Sequence, residues 1–233
     1  RYGAELQEEI PEVDAFFGKF DWKGVLERMG EHFDERIRNQ RVLTTPDHYA
    51  YLKISEGCNR TCSYCAIPIM TGKHKSRDFE ELLEECRALV KGGVKEILVV
   101  AQDLTYYGID LYGKNRLAEL IGRIADIEGL EWIKLHYAYP AGFPLELLTV
   151  MRERPNVCKY LDIALQHCSD HMLQQMRRGI SKKQTIELIR KIRQEVPGIF
   201  IRTTLMTGHP GETAEDFEEL CEFVREMRFE RLG

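Results

Sequence analysis

Tyr49-Ala50-Tyr51-Leu52-Lys53-Ile54-Ser55 runs directly into Glu56-Gly57-Cys58-Asn59-Arg60-Thr61-Cys62-Ser63-Tyr64-Cys65. The first seven residues are rich in aromatic and aliphatic side chains and predict a strand. Three thiols then fall on one loop at its end. Spacings of three and then two residues let a single irregular loop wrap one iron-sulfur cluster with three thiolates, leaving one iron without a protein ligand. The rival reading is a structural zinc site, which closes with four ligands, commonly two separated pairs. No second pair follows, although Cys86, Cys158, Cys168 or Cys221 remains available as a single fourth ligand. By themselves these four read as small buried hydrophobes, with Cys86 and Cys221 on amphipathic helices.

Outward from this stretch, short apolar runs alternate with longer amphipathic ones, the pattern of strand-helix units around a parallel sheet. The predicted strands are Tyr49 to Ser55, Glu96 to Ala101, Trp132 to Tyr137, Tyr160 to Leu165, Phe200 to Met206, and a last one opening near Phe229. Helix starts are read at Asp78 with Glu81, Ser181 with Gln184 and Thr213 with Asp216, each a capping residue followed three positions later by its partner. Stops are read at Gly92-Gly93, Gly129 and Pro197-Gly198. Six units are too few for the closed eight-unit barrel, so the fold class expected is α/β, an open partial (β/α)6 barrel with parallel strands inside and helices outside. Its chemistry should lie at the strand C-terminal ends, where the cysteine loop sits.

A chain of 233 residues suits one well-buried domain plus a remnant of another. Residues 46–233 are expected to be the core domain, ending in the sixth strand. Residues 1–45 differ in texture: helix-like from Ala4 to Ile10, apolar from Val13 to Phe17, helical again from Trp22 to Met29, then a linker ending near Thr44-Thr45-Pro46. With Arg1 in first place and no cysteine before Cys58, this opening segment reads as the tail of a preceding domain, and the chain as a fragment.

Hydrophobic residues at 43 % and charged residues at 30 % are ordinary globular values, with no low-complexity tract. No apolar run approaches the roughly 18 to 20 residues of a membrane span, and no signal stretch opens the chain, so no membrane partner and a cytoplasmic location are expected. A formal net charge of −5 argues against a dedicated nucleic-acid surface. Seven cysteines, an odd number with three crowded together, fit thiolate ligation in a reducing compartment better than a disulfide framework.

The cysteine spacing, with Tyr64 just before the third thiol, resembles the signature of the radical S-adenosylmethionine superfamily. Gly72-Lys73-His74-Lys75-Ser76-Arg77, Ala101-Gln102-Asp103-Leu104-Thr105-Tyr106-Tyr107-Gly108, Tyr160-Leu161-Asp162-Ile163-Ala164-Leu165-Gln166-His167 and Gly208-His209-Pro210-Gly211-Glu212-Thr213 look like the methylthiotransferase family within it. The resemblance covers residues 42 to 233. Ala101-Gln102-Asp103, Tyr107 to Lys114 and Leu161-Asp162-Ile163 resemble the branch acting on a ribosomal protein; the transfer-RNA branch typically carries Gly-Gln-Asn at the first of these. Ala164 departs from the proline expected there.

The resemblance implies a partial barrel of the radical type, with one 4Fe-4S cluster on Cys58, Cys62 and Cys65, which are then both metal ligands and catalytic centre. It implies S-adenosyl-L-methionine at the open iron and a radical that takes hydrogen from an unactivated carbon, the β-carbon of an aspartate in ribosomal protein S-twelve. It also implies a second 4Fe-4S cluster in a preceding domain, a substrate-binding domain after the core, and an electron donor such as flavodoxin or ferredoxin. Residues 1–233 alone are then expected to cleave the cofactor without completing sulfur insertion. The enzymatic alternative is a transfer-RNA adenosine methylthiotransferase; the others are a zinc-stabilised interaction module or an electron carrier.

Binding the cofactor demands polar groups at several strand ends and some apolar surface for adenine. Gln102 and Asp103 end the second strand, Gln166 and Ser169 follow the fourth, and Arg202 in the fifth carries a charge suited to a carboxylate. Tyr64 and Ile67 suit the adenine side, and the glycines from Gly208 let backbone approach it. Against these stand plainer readings: sheet caps for the glutamines, a structural acid as partner for Arg202, a turn and helix cap for Gly208 to Thr213. The basic stretch Lys73, His74, Lys75 and Arg77 reads as a solvated loop, and Trp132 and Tyr137 as core and rim packing. His136, His167 and His171 show no spacing that selects a metal.

Overall fold

The computed structural model describes residues 3–18, 21–32, 34 and 41–233. The chain divides into two units between residues 41 and 42. In the first, among the described residues, α1 (Gly3–Glu9) and α2 (Trp22–Arg28) are helices, and the Asp21 side chain caps α2 by accepting from Gly24 N at 3.0 Å. Residues 13–17 form neither helix nor strand.

The second unit is built on a sheet of six strands: β1 (Tyr49–Lys53), β4 (Glu96–Val100), β5 (Trp132–Ala138), β6 (Val157–Ile163), β7 (Phe200–Thr203) and β8 (Arg231–Leu232). They lie in chain order, every neighbouring pair is parallel, and β1 and β8 are the two edges, so the sheet is open. A separate antiparallel pair, β2 (Ser55–Glu56) with β3 (Lys75–Ser76), stands at the end of β1. Helices fill the crossovers: α3 (Ile67–Thr71) and α4 (Phe79–Lys91) before β4, α5 (Ile109–Tyr112) and α6 (Leu117–Ala125) before β5, α7 (Glu146–Glu153) before β6, α8 (Asp170–Gln175) and α9 (Lys182–Glu195) before β7, and α10 (Ala214–Met227) before β8. Among the described residues no helix is long and apolar enough to cross a membrane.

Alternation along the strands sorts the two sheet faces. Leu52, Ile97, Val99, Ile133, Leu135, Leu161 and Ile201 point to one side and are exposed to 1 % or less. Leu82, Leu83 and Cys86 of α4, Leu120, Ile121 and Ile124 of α6, Leu147, Leu148 and Met151 of α7, and Leu220 and Phe223 of α10 join them in one core, at three- and four-residue helical spacing. Each such aliphatic side chain stabilises the fold by about 1.5–3 kcal/mol. The opposite face carries Tyr51, Lys134, His136, Tyr160, Asp162 and Arg202. Trp132, expected in the core, is 60 % exposed on this face, because it alternates with Ile133 and so shares its side of the strand with Lys134. A groove of about 410 Å³ lies here, lined by Tyr49, Tyr51, Glu96, Lys134, His136 and Tyr137 among others.

The strand and helix bounds read from sequence shift at several places. The first predicted strand is cut after Lys53, because Arg77 N donates to Ile54 O at 2.9 Å while Ser55 and Glu56 turn to pair with Ser76 and Lys75. The stretch from Lys73 to Arg77 is therefore not a solvated loop: His74 is 5 % exposed, and Arg77 pairs with Glu81 and Glu85 at 2.9 and 2.7 Å. The capping boxes Ser181–Gln184 and Thr213–Asp216 both form. Asp78 caps α4 through Glu80 N and Glu81 N, but Glu81 turns to Arg77 instead of back to the cap. At the C-terminal ends, Gly92 caps α4 as read, whereas α6 stops at Ala125, four residues ahead of Gly129.

Asp216, 6 % exposed, does more than cap α10. It accepts from Ser169 Oγ, from Thr213 N and Oγ1 at 3.1 and 3.0 Å, and from His171 Nδ1 at 2.9 Å, tying the start of α8 to the start of α10. These donors, the Ser169 hydroxyl foremost, hold its carboxyl far below the usual carboxylate range against the opposing effect of burial. With the folded-state value depressed, the unfolded chain takes up the proton first. The stabilisation is therefore present above about pH 4 and declines as pH falls through and below that value. The unfolding midpoints of wild type and Asp216→Asn, measured between about pH 7 and pH 3, are expected to converge toward acid; a gap that stays constant contradicts this account.

Candidate metal centre

Because all six strands are parallel, their C-terminal ends share one edge, and the loops leaving them form a rim. Glu56 to Cys65 follows β1 and β2, Gln102 and Asp103 follow β4, Tyr139 follows β5, Ala164 to Ser169 follow β6, and residues 204–213 follow β7. The cysteine loop is tied into this rim at both ends. Cys58 N donates to Gly72 O at 3.2 Å, and Ser63 N donates to Met176 O at 3.2 Å. Ser63 Oγ lies 3.4 Å from His209 Nε2, which brings the Gly208 loop to the thiols.

Cys58 and Cys62 are each 9 % exposed and Cys65 is half-buried. Arg60 N donates to Cys58 Sγ at 3.4 Å, and Arg178 Nη1 to Cys62 Sγ at 3.3 Å. Burial pushes the Cys58 thiol up, with the Arg60 amide acting the other way. Among the described residues no three His, Cys, Asp or Glu side chains stand close enough to hold a single metal ion. A lone zinc needs that convergence, whereas each thiolate of a four-iron cluster binds a different iron. The donor set fits the latter: sulfurs met by an amide and a guanidinium. Of the four spare cysteines, Cys86 and Cys168 are fully buried; Cys168 Sγ donates to Glu219 O at 3.6 Å, and burial pushes its thiol up to about 12, away from ligation.

Around the thiols the rim is densely engaged. Tyr64 OH accepts from Arg178 Nη1 at 2.9 Å, and burial raises its pKa. Ile67 opens α3 beside it, half-buried. Gln102 donates to Glu56 Oε1, while its own Oε1 is buried without a partner. Asp103 is 2 % exposed, accepting from Arg60 Nε at 2.8 Å and from Thr105 N at 2.9 Å. Gln166 adopts a left-handed φ of 72° and bridges to Leu205, with Met206 N donating to its carbonyl at 2.7 Å. Gly208 N donates to Glu212.

Two of the residues expected at the cofactor are committed elsewhere. Ser169 caps α8 and donates to Asp216, and Arg202 pairs with Asp162 at 2.8 Å on the open face of the sheet. Nothing in the sequence spacing singles out Arg60, Tyr139 or Arg178, yet these join the rim. The Tyr139 ring lies between the guanidinium groups of Arg60, at 4.0 Å, and Arg178, at 4.2 Å, with its OH 3.7 Å from Cys62 Sγ. The signals available were a basic residue inside the cysteine loop and an Arg-Arg-Gly turn; neither carries a partner in one dimension. His167, fully buried, accepts from Ser169 N at Nδ1 and faces Glu212 through Nε2 at 3.1 Å, so it joins the loops after β6 and β7.

The chain belongs to the radical SAM superfamily, whose sequence profile matches residues 52–224. Among curated relatives, the ribosomal protein uS12 methylthiotransferase RimO of Porphyromonas gingivalis strain ATCC 33277 is 66 % identical over all 233 residues, which span 54 % of that protein. The same-named protein of Cytophaga hutchinsonii is 52 % identical over the whole chain, again 53 % of its length. The chain thus spans about half the length of the curated relatives it matches. Of solved structures, the radical S-adenosylmethionine methyltransferase TsrM from Kitasatospora setae superposes with a TM-score of 0.65 at 16 % identity, over 83 % of this chain and 39 % of that one. Coproporphyrinogen III oxidase HemN from Escherichia coli gives 0.56 at 19 % identity, over 86 % and 46 %. At these identities the likeness bears on the fold alone.

Gly57, one residue before the first thiol, has a φ of +79°, and a Cβ there would stand 2.2 Å from Lys73 O. Gly113 has a φ of +71° with nothing near its Cβ position. Backbone strain alone costs each alanine substitution about 1–2 kcal/mol. Gly57→Ala is expected to lower the denaturant midpoint clearly more than Gly113→Ala, because it must also push the cysteine loop off the β3 segment. Equal losses would mean that the close approach is not there.

Proposed function

We propose that this chain is the radical domain of a methylthiotransferase that modifies an aspartate β-carbon in ribosomal protein uS12. The observation that carries the proposal is a three-cysteine loop at the C-terminal rim of the parallel sheet, in a chain 66 % identical from end to end to relatives of that name. In this reading residues 46–233 are the radical domain and residues 1–45 belong to a preceding domain and its linker. Cys58, Cys62 and Cys65 hold a 4Fe-4S cluster, with S-adenosyl-L-methionine beside it. Once reduced by an external donor, such a cluster would supply one electron to the cofactor's own sulfonium, the chemistry needed to take hydrogen from an unactivated C–H.

The chain's own residues then hold and orient. Tyr64, Ile67 and the backbone from Gly208 offer apolar and backbone surface for an adenine. Gln102, whose carbonyl oxygen is buried and unmet, offers an acceptor at the end of β4. Gln166 offers a second amide, at a strained backbone position. Asp103 and Ser169 act by fixing the loops around them, and Arg202 by its charge on the open face. The full-length protein is a cytoplasmic enzyme that takes electrons from a flavodoxin or ferredoxin and sulfur by way of a second cluster in its preceding domain.

Anaerobic reconstitution of the protein with iron and sulfide is expected to give about four irons per chain and, on chemical reduction with S-adenosylmethionine, deoxyadenosine. Cys62→Ala should lose most of the iron and all of the deoxyadenosine. Iron bound without deoxyadenosine would make the protein an electron carrier, and one zinc per chain an interaction module. Offering uS12 and transfer RNA separately to the full-length enzyme, and looking for the added methylthio mass, separates the two substrates.

A further inference from the structure

Four polar side chains stand in a row across the open face of the sheet. Asp162 on β6 is in register with Arg202 on β7, and Arg202 with Arg231 on β8, while Nδ1 of His136 on β5 lies 3.8 Å from Asp162 Oδ2. Residues in register on parallel strands share a face, so the two guanidinium groups are carried side by side. Burial raises the pKa of the Tyr160 phenol, and both arginines act against that rise, which puts both cations on its side of the sheet. The row holds a single acid. Asp162, 4 % exposed, accepts from Arg202 Nη1 at 2.8 Å. Glu230, next to Arg231 in sequence, turns instead to Arg193 at 3.3 Å and to Ile201 N at 2.8 Å. The Arg231 side chain forms no hydrogen bond or ion pair among the described residues.

Like charges on neighbouring strands repel, and a sheet that carries arginine at both positions loses stability unless an anion comes between them. With Nη1 of Arg202 fixed by Asp162, its remaining nitrogens are left to donate to such an anion. The shortfall is one negative charge, two guanidinium groups against a single carboxylate. We propose that Arg202 and Arg231 bind the side-chain carboxylate of the aspartate that is modified, with Asp162 as the positioning residue for Arg202 and the groove beside His136 taking the flanking peptide. The proposal rests on the reading of a uS12 aspartate as substrate, and adds to it the groups that recognise the target side chain. One carboxylate matches the shortfall, whereas a run of RNA phosphates exceeds it, and the chain's net charge of −5 does not favour one. The edge formed by β8 is opposite β1, whose loop carries the thiols, so the site leaves the space beside the thiols to the cofactor.

The test measures the affinity of the reconstituted full-length enzyme for uS12 and for uS12 with its target aspartate replaced by asparagine, in wild type, Arg231→Gln, Arg202→Gln and Arg202→Lys. Affinity for S-adenosylmethionine is measured on each alongside. Wild type is expected to bind the aspartate form about tenfold or more tighter, the yield of a charge-assisted contact. Arg231→Gln and Arg202→Gln should each bring that ratio toward one by weakening the aspartate form alone, and Arg202→Lys should restore part of it. A merely structural role would weaken both forms equally. An unchanged ratio in Arg231→Gln overturns the proposal; Arg231 is exposed on an edge strand, so this variant leaves no buried group unpaired even where Arg202→Gln fails to fold. Wild type that binds both forms alike overturns it too. An unchanged ratio with weakened S-adenosylmethionine binding in the glutamine variants assigns the pair to the cofactor's carboxylate and likewise overturns it. Wild type that binds no uS12 overturns instead the reading of the substrate.

Discussion

Three thiols on one loop must be kept from water without meeting a fourth protein ligand, and the parallel sheet in chain order makes that possible. Parallel strands deliver every C-terminal end to one edge, so loops far apart in sequence converge over the cysteine loop. Ser63 is held by the Met176 carbonyl, and Cys62 is met by Arg178 and Tyr139, all from later crossovers. None of these contacts brings an acid or an imidazole to the sulfurs. Asp103, the nearest candidate, is spent on Arg60 and Thr105. The loop is thereby shielded by phenol, guanidinium and backbone, groups that donate to sulfur but do not bind iron as readily as carboxylate or imidazole.

Parallel sheets are ordinarily covered on both faces; the described helices of residues 42–233 pack their apolar sides against one. The covered face takes the alternate apolar residues of β1, β4, β5 and β6, and the helices supply its other half. The open face replaces those with Lys134, His136, Tyr160, Asp162 and Arg202, paired among themselves: Arg202 with Asp162 at 2.8 Å, Lys134 over the Tyr160 ring at 4.6 Å. The pairing satisfies these charges of the polar face within the sheet itself. Trp132 and Phe200 share this side of the sheet by their alternation and stand 60 % and 58 % exposed.

Much of this was legible in the sequence because it follows from periodicity. All six strands of the parallel sheet begin within three residues of where the apolar runs place them, and the caps at Ser181 and Thr213 form as the residue types require. The break after Lys53 was not legible, since it depends on Ser55 and Glu56 finding Ser76 and Lys75 across twenty residues. Glu81 could serve Asp78 or Arg77 equally well by its type, and Arg77, half-buried between Glu81 and Glu85, takes it. The cysteines announce themselves by spacing alone. Arg178 does not, because Met176-Arg177-Arg178-Gly179 reads as an ordinary basic turn until the fold sets one arginine against sulfur and leaves the other outside.

The rim's strained residues show what that arrangement demands of the backbone. Tyr137 at the end of β5 and Gln166 after β6 both adopt left-handed φ, 68° and 72°, without being glycine. Such positions cost about 1–3 kcal/mol each and persist only where surrounding contacts over-determine them. At Tyr137 the register between β5 and β6 shifts, and two residues later Tyr139 has turned inward between Arg60 and Arg178. At Gln166 the chain is bridged to Leu205 and then delivers His167 to Glu212 and Ser169 to Asp216, locking the loops after β6 and β7 together. Both strains therefore sit where a strand must stop running along the sheet and fold over its edge. Two adjacent strands bend toward the thiols for the same reason, and the hydrogen bonds and ring contacts made after each bend are what hold it. Removing the contacts would release the bends, and with them the cover over the cysteine loop.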